Sequence, residues 1–312
     1  MKGEIKMKEY YPEGFLIKTE ENKRYFSSVS SLSVAQIDGV ILEANAILCD
    51  RSHDLTVDLG CMKGIIKREE GAIGIAEGTT RDIALISRVG KPVCFKIIDI
   101  KNTDDGEQYA VLSRKSAQLE CLEFIHRNKI CGDIIDAKVT HLESFGAFCD
   151  IGCGNIALLP IDSISVSRIS HPKDRFNVGD NIKAIIKSYG DEGRITLSHK
   201  ELLGTWEENA ASFLQGQTVS GIVRSVENYG IFVELAPNLA GLAEIGPAVK
   251  VGQGVSVYIK NVIPEKMKIK LIIIDELDSL PQRKIKYFYE NNHIDDFVYS
   301  PYGATKQIRV NF

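Results

Sequence analysis

The chain has 312 residues, 44% hydrophobic and 26% charged, with 26 glycines and 9 prolines. That length exceeds one ordinary domain and suits two to four small ones, and the hydrophobic content is that of a folded chain. Its 38 basic and 42 acidic residues give a net charge of −4, which excludes a protein that binds partners by being uniformly basic; any nucleic-acid role must rest on a local surface.

Taken in chain order, residues 1–38 form an N-terminal segment. It opens MKGEIKMKEYYPEG, without the apolar core of a signal peptide, so a cytoplasmic location is expected. No run in the chain nears the roughly 18 apolar residues of a membrane span. The seven cysteines, Cys49, Cys61, Cys94, Cys121, Cys131, Cys149 and Cys153, contain no C-x-x-C pair. An odd number without an export signal reads as reduced thiols, acting as small buried hydrophobes rather than zinc ligands.

Residues 39–116 read as the first and most degenerate of three repeats, through TVDLGCMKGII (56–66), RVGKPVCFKII (88–98) and VLSRK (111–115). A helical linker, 117–131, follows: AQLECLEFIHR places apolar residues at helical spacing with charged residues outward. Residues 132–200 and 216–275 are the two strong repeats. They align without a gap from Gly132 on Gly216, matching Phe145 with Tyr229, Gly146 with Gly230, Phe148 with Phe232 and Asp150 with Glu234. Further on, FNVGDNIKAIIKS (176–188) parallels VKVGQGVSVYIKN (249–261), after an 11-residue insertion within SISVSRISHPKDR of the earlier copy.

Each strong repeat holds five short segments rich in Val and Ile, separated by Gly, Asn, Asp and Pro. Five such strands in so short a span predict a small closed barrel with no exposed sheet edge. Between the strong repeats, 201–215 predicts one helical connector, ELLGTWEENAASFL, docked on a barrel by Trp206 and Phe213. Residues 276–312 carry seven aromatics with charges that cancel, which predicts a small α/β appendage, RKIKYFYE supplying a helix or strand.

In S-F-G-A-F-C-D (144–150), strand alternation turns Ala147, Cys149 and Ile151 to the core and puts Phe148 and Asp150 on the other face. A kink or bulge at Gly146 would let Phe145 join them, and the same holds for Tyr229, Gly230, Phe232 and Glu234. Two exposed rings per barrel make a stacking platform for unpaired bases, worth about 1–3 kcal/mol per base. The alternative is that both rings are buried; repetition of the pair favours the platform. Arg194, with Lys268 its counterpart, opens the last strand and offers guanidinium stacking or a phosphate contact.

The run [FY]-G-x-F-x-[DE], then V-G, then [RK]-I-x-L, resembles the S-one RNA-binding domain, an OB-fold repeat that takes single-stranded RNA on two aromatics, a His, an Asp and an Arg. The stretches SHKELLGTWEENA (198–210), NLAGLAE (238–244) and VIPEKMKIKLIIID (262–275) look like the short ribosomal S-one-like proteins of Gram-positive bacteria. The resemblance implies a mainly β chain of three tandem five-stranded OB-fold barrels joined by short helices. Its implied RNA contacts are Phe145, Phe148, Asp191 and Arg194 in the second repeat, and Tyr229, Phe232 and Lys268 in the third. The family His falls on Pro160 and Ala243, and the family Asp on Gly190, with Asp191 beside it, and on Pro264. In the first repeat His53 and Thr56 stand where the rings should be and Tyr109 where the Arg should be, which fits a docking role as well as RNA binding.

No phosphate-loop, zinc-protease, nucleophile-elbow or dinucleotide motif is present, and none of the six His has a catalytic setting. The expectation is a non-enzyme without cofactor or metal. It would bind single-stranded mRNA in translation, with the small ribosomal subunit as a second partner and no membrane. Two other readings stay open: an RNA-binding regulator or decay accessory away from ribosomes, and a protein-interaction scaffold built on OB-folds.

Overall fold

The structure, a computed structural model, describes residues 9–246, 248–281 and 285–312, the Glu192 side chain excepted. The chain is mainly β and built of five-stranded OB-like barrels. It falls into two compact units: one running to Lys129 and taking in Asp136–Lys138 and Asp150–Ile156, the other holding Ile130–Ile135, Val139–Cys149 and Ala157–Phe312.

The N-terminal segment is folded. Helix α1 (Glu20–Tyr25) starts at Thr19, whose hydroxyl accepts the Asn22 N–H, and α2 (Val29–Ile37) starts at Ser28, which accepts from Ser31. Both side chains satisfy amides that a helix start leaves orphaned. Leu32 and Ala35 of α2 are fully buried in the same apolar cluster as Leu55, Val57, Phe95 and Leu112. Those residues belong to a closed sheet of β1 (Leu42–Cys49), β2 (Leu55–Asp58), β3 (Lys63–Ile66), β4 (Pro92–Asn102) and β5 (Gln108–Ser113), ordered β1-β2-β3-β5-β4. Helix α3 (Ile83–Ile86) lies between β3 and β4. Helix α4 (Arg114–Asn128) begins three residues before the expected linker helix, because Ser113 at the end of β5 caps it directly.

The second closed sheet has β6 (Ile134–Glu143), β7 (Gly146–Asp150), β8 (Ile156–Pro160), β9 (Asn181–Tyr189) and β10 (Ile195–Ser198). The third comprises β11 (Thr218–Glu227), β12 (Gly230–Ala236), β13 (Leu239–Ala243), β14 (Gly254–Ile263) and β15 (Lys268–Glu276). In all three sheets the third and fifth strands pair in parallel and close the ring.

The connector differs from the single helix expected. Lys200–Leu203 is a 3-10 turn and α5 is short, Trp206–Ala210, because Gly204 between them takes φ +85° and lies against the Phe288 ring. Trp206 is buried in the cluster that contains Val223, Val233, Leu271, Phe297 and Tyr299, and Phe213 packs against it.

The α/β character expected of 276–312 is not observed. Its described residues hold no helix, only the short pair β16 (Asp296–Val298) and β17 (Arg309–Asn311). The physical reason is that its backbone hydrogen bonds go elsewhere. Phe288 donates to Leu202 O, Ile294 donates to Gly132 O, and Asn292 O accepts from Ile134, each at 2.9 Å. A helix would need those groups for itself. Arg283 and Lys284 of RKIKYFYE lie outside the described residues, and Ile285–Glu290 is neither helix nor strand. No described helix is long and apolar enough to cross a membrane.

Candidate nucleic-acid interface

Alternation along β7 and β12 sets the surface. Ala147 and Cys149, like Ile231 and Val233, are buried in the barrels, and Phe148 and Phe232 between them face outward, half-buried. Phe145, in the β6–β7 turn, is 55% exposed and meets Phe148 edge to face at 6.0 Å between centroids. Tyr229, in the β11–β12 turn, is 65% exposed and meets Phe232 the same way at 6.2 Å. Both values are ordinary for T-shaped ring pairs.

In the third barrel the bulge expected at the glycine, Gly230, is absent. The register Ser225–Phe232, Val226–Ile231, Glu227–Gly230 runs unbroken, so Tyr229 reaches its place as a turn residue. The glycines serve close approach instead: a Cβ on Gly230, at φ +154°, would stand 2.7 Å from Ala243 O, and one on Gly146 2.6 Å from Leu159 O.

Two neighbours of the rings escaped sequence reasoning. The exposed His141 ring lies 6.3 Å from Phe148 at 30°. The gapless alignment carried the signal, since His141 falls on Ser225, the residue paired with Phe232. In the third barrel Phe232 pairs with Leu242 and Leu242 with Lys270, one row across β12, β13 and β15. Lys270 is exposed on that row, while Lys268, also exposed, stands one pleat further along. Glu244 pairs with Lys260 at 2.7 Å; that hydrogen bond, with Lys270 adding to it, holds its carboxyl below the usual range.

In the second barrel Asp191 and Arg194 share the exposed β9–β10 turn, where the Arg194 N–H donates to Asp191 O at 3.3 Å. Thr196, two residues on, pairs with Leu158 of β8. Pro160 is half-buried and Ala243 fully buried, so neither supplies an imidazole at the family His position.

The acidic residues expected beside the rings on an open polar face are buried. Asp150 is 2% exposed and accepts the backbone N–H groups of Glu13, Gly152 and Gly154 at 2.8–3.0 Å. Burial, then the Glu13 carboxylate, push its pKa up. Glu234, with no exposure, receives both prongs of Arg175 at 2.9 and 2.6 Å and Arg224 Nε at 2.7 Å. Burial raises its pKa, but the Arg175 hydrogen bonds and charge outweigh that and hold it low. Alternation does aim Glu234 to the side of Phe232; other segments then cover that end of the face.

The corresponding face of the first barrel has no ring pair. Thr56, Ile65 and Val111 form the equivalent row, with Asp58, Lys63 and Tyr109 beside it. His53 sits in a turn at φ +64°, its ring nitrogen 3.4 Å from Asp82. The groove there, about 750 Å³, is lined by Ile47, Leu48, Thr56, Ile65 and Tyr109 among others, with Ile47 and Leu48 about half exposed. His199 has a structural place: it is fully buried, 2.9 Å from Ile164 O, and burial lowers its pKa to about 4. Among the described residues no group of three or more His, Cys, Asp or Glu is arranged to hold a metal ion, and none of the seven cysteines is in a disulfide.

A five-stranded closed barrel with an outward ring pair beside its second strand defines an OB-type module with an exposed aromatic face. Residues 129–200 match the family described as the S1 RNA binding domain. Relatives include the small ribosomal subunit protein bS1 of Staphylococcus aureus (strain COL), 32% identical over 226 residues, 64% of this chain and 56% of that protein. The bS1 of Leuconostoc lactis is 28% identical over 271 residues, 81% of this chain and 60% of that one. The chain therefore spans less than two thirds of the length of these relatives. A solved multidomain protein with nucleic acid binding domains from Streptococcus pneumoniae aligns over 75% of the chain and 73% of its own at 13% identity, with a TM-score of 0.24.

Proposed function

We propose that the chain is a cytoplasmic single-stranded RNA-binding protein of translation, with three tandem S1-type OB repeats, and that its second and third barrels grip mRNA. The observation that carries this reading is the duplicated ring pair: two barrels present the same edge-to-face geometry with the outer ring more than half exposed. Bases stack on Phe145 and Phe148, and on Tyr229 and Phe232. Asp191, Arg194, Lys268 and Lys270 contact the strand, and His141 adds a third ring in the second barrel. Ring faces accept any base, so sequence preference is weak.

Replacing Phe145 and Phe148 by Ala is expected to weaken single-stranded RNA binding by about 1–3 kcal/mol per stacked base, with the far-ultraviolet circular dichroism unchanged. Normal binding by the double variant, measured by fluorescence anisotropy, would refute the platform.

The first barrel supports a different role. Its equivalent face offers exposed Ile47 and Leu48 and no ring pair, which suits docking on a protein, with the small ribosomal subunit as the candidate. Co-sedimentation with ribosomal subunits that survives RNase treatment separates this from a regulator working away from ribosomes.

A further inference from the structure

The insertion between β8 and β9 ties the two ring pairs together. At its start Ile161, the residue after β8, donates its N–H to Phe145 O at 2.9 Å. Further along it lands on the third barrel. The Val166 N–H donates to Asn238 Oδ1 at 2.9 Å and the Ser167 N–H to Pro237 O at 3.3 Å. The Arg175 guanidinium, 4% exposed, then grips Glu234 with two prongs, and Asp174 stands 3.5 Å from Arg224. Glu234 lies two residues along β12 from Phe232. The connected order is therefore Phe148, Phe145, the insertion, Phe232, Tyr229.

Between these anchors most of the apolar and hydroxyl side chains turn in. Ile164, Ser165, Ser167, Ile169 and Pro172 are buried, while Arg168 and Lys173 are exposed. Among the described residues neither cation makes a side-chain hydrogen bond or ion pair. Two uncommitted cations thus ride on a segment fixed at both ends, one end at each ring pair.

We propose that this insertion is an RNA-binding bridge: Arg168 and Lys173 hold phosphates of the nucleotides that pass from the Phe145–Phe148 pair to the Tyr229–Phe232 pair. The second and third barrels then take one continuous single strand at a fixed spacing. The proposal rests on the stacking function above and adds to it a ligand longer than either platform needs alone. Because the barrels are joined by a buried ion pair and a shared apolar cluster, occupying one pair holds the strand close to the other, which raises affinity for long strands.

The test uses the full chain, hexauridylate and an oligouridylate of about twenty nucleotides, titrated by anisotropy at several salt concentrations. Arg168→Ala with Lys173→Ala is expected to lower long-strand affinity about tenfold and to flatten its log–log salt slope by about 1.4, about 0.7 per lost phosphate contact. Hexauridylate affinity is expected to stay unchanged. Long-strand affinity or salt slope equal to that of the parent overturns the bridge and leaves the platforms standing. An equal loss on hexauridylate also overturns it, since the cations would then serve one barrel. Failure of the parent chain to bind hexauridylate removes the stacking function, and the bridge with it.

Discussion

Lys268 and Lys270 stand one pleat apart on β15, and that pleat separates the residue indicated by family likeness from the one level with a ring. Both are exposed because K-I-K-L alternates, with Ile269 and Leu271 inside. Only the pairing of Phe232 with Leu242 and of Leu242 with Lys270 decides which lysine shares the ring's row. Lys270→Ala is therefore expected to weaken single-stranded RNA binding more than Lys268→Ala, flattening the salt slope by about 0.7. Titration of both variants at two salt concentrations checks this, and a larger effect at Lys268 would contradict the register argument. Asp150 and Glu234 teach the same lesson in reverse. Alternation places Glu234 outward with Phe232, but its exposure depends on Arg175, a residue far from it in sequence.

At the level of elements, the insertion after β8 and the broken connector hold the second unit together. Arg175 and Glu234 are both nearly inaccessible, so removing one leaves a buried charge short of partners. Arg175→Ala removes both guanidinium prongs from Glu234 and is expected to cost about 3 kcal/mol, the lower end for breaking a buried pair. Urea unfolding would show this as a lower midpoint. Arg175→Lys should recover only part of it, because an ammonium cannot replace a two-pronged guanidinium. The connector shows how a tertiary contact overrides helical periodicity. Residues 201–214 carry a helical pattern, yet Gly204 turns into a left-handed conformation where Phe288 of the C-terminal segment packs, and Thr205 restarts the helix with a capping box.

Across the whole molecule, the C-terminal segment ties to the start of the second barrel through a histidine held between two carboxylates. His293 Nδ1 lies 2.7 Å from Asp133 and Nε2 lies 3.0 Å from Asp295, and these hydrogen bonds raise its pKa. A histidine raised on folding contributes stability that is complete below its unfolded pKa of about 6.5 and is lost as pH rises through the folded value. The parent chain is thus expected to have a higher urea midpoint than His293→Asn at pH 6, with the gap closing at alkaline pH. A gap independent of pH would show that His293 acts through packing alone. The acid side follows from Glu234, whose lowered pKa gives stability present above the unfolded carboxylate range and lost as pH falls through the folded value.

Repetition in the sequence points to the two strong repeats and their paired rings, because alternation and glycine spacing are local properties that each repeat states again. The helix starts at Thr19 and Ser28 were within reach of the same reasoning, through their capping residues. What surrounds the rings was not. The burial of Asp150 and Glu234, the row that selects Lys270 and the course of Phe288–Ile294 each depend on a partner distant in sequence. Local pattern says which way a side chain points; only the assembled chain decides what covers it, since burial and pairing are set by segments that meet after folding.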